Sequence, residues 1–299
     1  VLDDLTLNGK DLDRIIDIKR ELLEKEAVLE YIPFDEGMAE IGGLGNLKAW
    51  LEKRRKAHTA EARRFGITPP KGVMLIGVQG CGKSLAAKAI AREWALPLLK
   101  LEPGRLYDQY IGESEKNLER ALGMAERMAP CVLMVDEMEK ALVYGGGGHA
   151  DAGLSRRILG RILSWMQDRK APVFVVATCN DISQLPPELM RKGRFDEIFF
   201  IDLPTAADRK AIFGVHIKRK RDPSKFDLDA LAAASEGFSG AEIEQAVVSG
   251  LYAAFSEGKE LDTRHILHEL QATRPLSVTR HEAISALREW AEGRTVAAG

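Results

Sequence analysis

Cysteine is scarce: Cys81, Cys131 and Cys179 are the only three in 299 residues, and none belongs to a CxxC pair. That excludes a disulfide scaffold and a cysteine zinc framework, and it predicts a reducing compartment. Long apolar runs are missing as well. CVLMV at 131–135 and VFVVA at 173–177 fall far short of the roughly 18 residues that a membrane helix requires. No secretory apolar region opens the chain, so no membrane association is expected. Excess charge is also absent, since 43 Lys and Arg against 45 Asp and Glu leave a net −2. Nucleic-acid binding is therefore not indicated. The basic runs at 53–56 and 218–221 read as solvated helix faces or ends. The first residue is Val1 rather than Met, which predicts a fragment or a processed product.

What is present is an ordinary globular composition, 45% apolar and 29% charged, with length for about two domains. Residues 11–30 carry Leu12, Ile15, Ile16, Ile18, Leu22 and Leu23 among many charges, the pattern of an amphipathic leading helix. From residue 71 the pattern alternates. Short apolar strands at 73–76, 97–101, 131–135, 173–178 and 197–201 are separated by helical stretches, which predicts a five-stranded parallel sheet sandwiched by helices. The helix at 155–168 takes Ser155 as its expected N-cap. After Pro204 the strands are expected to stop, and Thr205–Asp208, Ser239–Glu242 and Thr279–Glu282 read as capping boxes of helices. The expected division is a helical linker over 1–33, an α/β subdomain over 34–203, a helical subdomain over 204–275, and a C-terminal helix and tail over 276–299. No internal repeat occurs, and Gly145–Gly148 reads as a flexible loop.

The sharpest chemical signal is GVQGCGKS at 77–84, which fits GxxxxGK[ST] between a strand and a helix. Glycines in that pattern turn backbone N–H groups toward phosphate oxygens at a helix N-terminus. Gly77, Gln79, Gly80, Cys81, Gly82, Lys83, Ser84 and Leu85 are thus the expected phosphate-binding run. Lys83 would reach the terminal phosphates and Ser84 would ligate Mg²⁺. CVLMVDE at 131–137 ends a buried strand in two carboxylates. Asp136 would hold the Mg²⁺ shell, and Glu137 would orient and deprotonate a water aimed at the γ-phosphate, which implies hydrolysis. A third strand tip, in VFVVATCND at 173–181, brings Asn180 to the same sheet edge, where its amide could hold that water or the γ-phosphate, or Asn180 could simply start a turn before Asp181.

These motifs, followed by LMRKGRFDEIFFIDLP at 189–204 and GFSGAEIEQAV at 237–247, resemble in order the motif set of the AAA family of ring-forming ATPases, over roughly residues 34–275. Within it, LPLLKLEPGRLY, SRRILGRILSWMQ and LREWAEGR resemble a group encoded in cyanobacteria, red-algal plastids and other bacteria, known as a hypothetical chloroplast reading frame. The resemblance implies a P-loop NTPase fold with a helical lid. It implies a homo-oligomeric, hexameric ring, a protein substrate, and a cytoplasmic or plastid-stromal setting. Arg191 and Arg194 match the family's paired arginines, which reach a neighbouring subunit's nucleotide; a surface pair bridging to Asp196 or Glu197 is the alternative. Ile41 and Gly42 match the adenine-contacting turn, and His216, Gly240 and Ala241 match the opposite wall. Ala241 stands where other ATPase branches have a sensing arginine. Tyr110 and Ile111 match the pore loop, whose aromatic grips peptide; a Tyr packed under its own loop is the alternative.

Two weaker features are read narrowly. His265 and His268, three apart on a helix, lack a third metal ligand. Cys81 could have its pKa lowered by the helix terminus and act as a redox switch, or could be a small residue that fits. The resulting expectation is Mg²⁺-dependent ATP hydrolysis at ring interfaces that threads or remodels a protein. A nucleotide-gated scaffold that threads nothing is the alternative, and a small-molecule kinase is disfavoured by Glu137.

Overall fold

The structure, a computed structural model, describes residues 29–33, 37–57, 59–106, 113–140, 149–191 and 193–299. Five parallel strands form its centre: β2 (Gly72–Gly77), β3 (Leu98–Leu101), β4 (Cys131–Val135), β5 (Val173–Cys179) and β6 (Glu197–Ile201). Two short strands extend the edges, β1 (Leu29–Tyr31), antiparallel to β3, and β7 (Val296–Ala297), parallel to β6. The order is β1-β3-β4-β5-β2-β6-β7. Every residue of β2, β4 and β5 is buried, as expected where both faces of a parallel sheet are covered.

Alternation along β5 divides the core in two. Val173, Val175, Ala177 and Cys179 face one cluster, with α4 (Glu113–Met128) and α5 (His149–Asp168) over it. Phe174 and Val176 face the other, beneath α1 (Gly45–Arg54) and α3 (Lys83–Glu93). There the Phe174 ring lies 4.5 Å from Trp94 and 6.5 Å from Trp50. The short α2 (Ala60–Phe65) lies between α1 and β2 in the chain.

A separate helical cluster follows, built on α6 (Ala206–Lys218), α7 (Leu228–Ala234), α8 (Gly240–Ser256) and α9 (Thr263–Ala272) around Phe213, Leu231, Ile243 and Ile266. The capping boxes at Thr205–Asp208 and Ser239–Glu242 form as expected. The chain then turns back. After α10 (Leu276–Thr279), α11 (His281–Ala291) buries Ile284 and Leu287 in the α/β core, and Arg288 grips Asp202 with bonds of 2.8–3.0 Å.

Four expectations change. Strands do not stop at Pro204, because β7 returns to the sheet. Ser155 is interior, since α5 begins six residues earlier at His149. Thr279 caps nothing: it ends α10, and α11 starts behind Arg280 without a side-chain cap. Leu29 and Glu30, expected at the end of the leading helix, are strand, held by pairing with Leu101 and Lys100. The rest of that helix, and Gly145–Gly148, lie outside the described residues. Among the described residues no helix is long and apolar enough to cross a membrane.

Candidate nucleotide-binding and hydrolysis site

Strand order alone gathers the candidate residues. β4, β5 and β2 are neighbours, with Val135 opposite Ala177 and Ile76 opposite Cys179. Their C-terminal ends therefore meet, and the residues just beyond them are the phosphate-loop run, the acidic pair and Asn180.

The loop from Gly77 to Gly82 turns tightly into α3. A Cβ on Gly77 would lie 1.9 Å from the Ile201 carbonyl oxygen, and Gly82, at φ 91°, is the N-cap of α3. Among the described residues the amides of Gly80, Cys81, Gly82, Lys83 and Ser84 have no protein acceptor. Five donors converging at a helix N-terminus suit phosphate. Lys83 is buried, and its Nζ donates to the Gly77 and Val78 carbonyls at 2.8 Å each. Burial lowers its pKa, and Cys81, Cys179, Glu139 and Asp136 oppose that shift.

The acidic pair is held by a network. Asp136 Oδ1 accepts from Ser84 Oγ at 3.1 Å and from Thr178 Oγ1 at 2.7 Å, while Lys100 Nζ lies 3.6 Å from Oδ2. Glu137 has φ 52°, the left-handed region, which costs a side-chain-bearing residue roughly 1–2 kcal/mol. Its N–H donates to Thr178 Oγ1 at 2.9 Å, Asn180 Nδ2 donates to its Oε1 at 3.1 Å, and Lys140 pairs with its Oε2. Asn180 is itself fixed, its backbone N–H donating to the buried Glu139 at 3.0 Å. Ser84 and Asp136 thus present oxygens suited to Mg²⁺ beside the unsatisfied amides, and Glu137 with Asn180 stands alongside.

Matches to known proteins give the family. The family model described as ATPase family associated with various cellular activities (AAA) fits residues 73–203, and an AAA+ lid domain model fits residues 225–268. The chain belongs to the AAA family. Among its relatives, an "Uncharacterized AAA domain-containing protein ycf46" of Pyropia yezoensis is 43% identical over 291 residues, covering 96% of this chain and 59% of that protein. Proteins of the same name from Guillardia theta and Trieres chinensis are each 44% identical, covering 95% and 96% of this chain and 56% and 58% of theirs. The chain therefore spans less than two thirds of the length of these relatives.

In this AAA chain a cleft of about 860 Å³ runs from the phosphate loop to the lid, within the size range of small-molecule sites. Ile41 and Gly42 line one wall; a Cβ on Gly42 would meet Ile212 of α6 at 2.6 Å, so the turn seats directly on the lid. His216, Gly240 and Ala241 line the same cleft. Burial holds the His216 imidazole below its usual pKa, with Glu244 pulling it up and Arg219 pushing it down. Ala241 reaches the phosphate loop through its backbone, donating its N–H to the Gly80 carbonyl at 3.0 Å.

The single chain does not bring every candidate into the cleft. Arg191 is exposed and Arg194 donates to the Glu188 carbonyl, and neither lines the cavity. Among the described residues neither bridges to Asp196 or Glu197; Asp196 instead accepts from the amides of Lys71 and Gly72. Tyr110 and Ile111 lie outside the described residues. The reactive-thiol reading of Cys81 is corrected: burial pushes its pKa up to about 11, outweighing the pull of Lys83. His265 is buried against Asp262 and Glu257, and among the described residues no cluster of three metal-ligating side chains occurs.

Three parts of the site escape sequence reasoning. Thr178 is a lone hydroxyl at the end of an apolar strand, and its place before Asn180 was the only signal. Lys140 sits one turn after Glu137. Ala297 to Gly299 line the cleft from the far end of the chain, and the Ala298 carbonyl accepts from the first amides of α1, Asn46 and Leu47, at 2.9 and 3.1 Å. No periodicity announces so short a strand.

Proposed function

We propose that this chain is a Mg²⁺-dependent ATPase that hydrolyses ATP at the interfaces of a homo-oligomeric ring of six copies and acts on a protein substrate. The observation that carries the reading is the joining of Ser84, Asp136, Glu137 and Asn180 at one sheet edge beneath the unsatisfied phosphate-loop amides. Bound Mg²⁺ would neutralise phosphate charge and polarise the terminal phosphoryl group.

The chain's own groups do the remaining work. The amides of residues 80–84 and the Lys83 ammonium hold the phosphates, while Ser84 and Asp136 supply metal oxygens. Asn180 steadies the Glu137 carboxylate, which takes a proton from water. Ile41, Gly42 and His216 enclose the base, and the lid closes on it through Gly240 and Ala241 rather than through an arginine.

Arg191 and Arg194 act on a neighbour's site. A guanidinium supplied in this way is worth roughly 10³–10⁵ in rate. Subunit mixing tests the claim. Arg194→Ala and Glu137→Gln are each expected to be nearly inactive alone, and their mixture is expected to regain turnover. The interfaces that pair an intact Glu137 with an intact Arg194 from the other variant would provide it. A mixture as inactive as its components sinks catalysis in trans.

Threading rests on the sequence pattern of Tyr110 and Ile111. Tyr110→Ala is expected to spare basal hydrolysis and abolish remodelling of a captured protein, and remodelling that survives points to a scaffold instead. With no cysteine paired, the reading places the protein in a reducing compartment, cytoplasm or plastid stroma.

A further inference from the structure

β5 alternates apolar residues on both faces until its penultimate position, where Thr178 places a hydroxyl on the face of Phe174 and Val176. Thr178 is 1% exposed, and its hydroxyl donates its one proton to Asp136 Oδ1 at 2.7 Å and accepts from the Glu137 amide at 2.9 Å. The backbone of the same residue holds the next turn, the Thr178 carbonyl accepting from Met138 N–H at 2.9 Å. One residue of β5 therefore fixes three consecutive residues beyond β4.

The middle one is Glu137, whose φ of 52° is sparsely populated for a side chain of its size. A backbone in that region persists only where its surroundings over-determine it. The N–H bond to Thr178 restrains the plane of the peptide from which the Glu137 side chain departs, so it helps set the direction in which that side chain leaves the backbone. The same hydroxyl fixes the carboxylate of Asp136, which also accepts from Ser84. Ser84, Asp136 and Glu137 are thereby joined in one hydrogen-bonded chain through a buried oxygen.

We propose that Thr178 is a positioning residue that couples the metal-ligating carboxylate of Asp136 to the aim of Glu137. The inference rests on the ATPase reading above. It treats Thr178 as acting through its neighbours, without touching nucleotide or metal itself.

The test uses Thr178→Val, which keeps shape and loses both bonds, and Thr178→Ser, which keeps the hydroxyl. Thr178→Val is expected to lower kcat by about 10- to 100-fold, the range for residues that orient metal ligands. The KM for ATP should stay within about twofold and half-saturation by Mg²⁺ should rise several-fold, as follows when an orienting partner is lost. Thr178→Ser should restore both.

Amide hydrogen exchange of the full chain without nucleotide supplies a readout independent of turnover. The segment 131–140 should exchange faster in Thr178→Val and as in wild type in Thr178→Ser. Wild-type kcat and Mg²⁺ dependence in Thr178→Val overturn the proposal whatever the exchange shows. Equal losses in Thr178→Ser and Thr178→Val overturn it too, because retained hydroxyl chemistry would then be irrelevant. If Thr178→Val does not fold, Thr178→Ala is compared with Thr178→Ser by the same criteria. If wild-type protein and Glu137→Gln show identical phosphate release while the exchange result holds, the ATPase reading fails and the Thr178 bridge stands as structure alone.

Discussion

The two halves of the proposed reaction centre are built in opposite ways. Glu137 is bound on every side, by Thr178, Asn180 and Lys140. Arg191 and Arg194 stand outside the cleft, and the described residues give them no carboxylate partner. On the proposed mechanism, the group that aims at water is held by the chain that carries it. The arginines proposed to serve a neighbour carry no ion pair among the described residues, and such a pair would have to break at each encounter.

Four experiments can break or sharpen that contrast. Arg194→Ala is expected to cost roughly 10³–10⁵ in kcat and to change stability by no more than about 0.5 kcal/mol, as for an unpaired surface site; chemical denaturation run beside phosphate release reads both. A melting point that falls along with turnover would show the arginine to be an internal strut. Glu137→Gln is expected to lose roughly 10²–10⁴ in turnover, the worth of a positioned base, while retaining ATP by equilibrium binding.

Lys140→Met probes the tether itself. An exposed pair is worth at most about 1 kcal/mol, so turnover should rise by no more than about fivefold, most clearly at low salt. A larger change would make Lys140 part of the chemistry. The smallest effect concerns Cys81. With its pKa pushed up to about 11, alkylation followed by mass spectrometry at pH 7 should be slow and should speed up as pH rises toward that value. Fast labelling at neutral pH would restore the reactive thiol.

The sequence was most legible where one pattern had one physical cause. Runs such as CVLMV and VFVVA are apolar throughout because both sheet faces are covered, and the phosphate-loop spacing reflects backbone geometry that few residues permit. It was least legible where a local rule met a non-local one. A helix terminus lowers a thiol's pKa, yet burial of Cys81 beneath the lid reverses the sign. Ser155 has a capping side chain but sits inside a longer helix. β1 and β7, of three and two residues, exist only through partners far along the chain. Thr178 looks like strand filler until β4 lies beside it.

The bond from the Ala241 amide to the Gly80 carbonyl has a bearing on building hybrids of this protein. A Cβ on Gly80 would sit 3.0 Å from Ser239 Oγ and 3.1 Å from Ala241 Cβ, so the two subdomains fit at this point as small residue against small residue. A side chain placed at residue 80 would therefore push against the lid, in this protein and in any hybrid that keeps Ser239 and Ala241. Interchangeable modules would have to be cut so that Gly80 travels with residues 239–241.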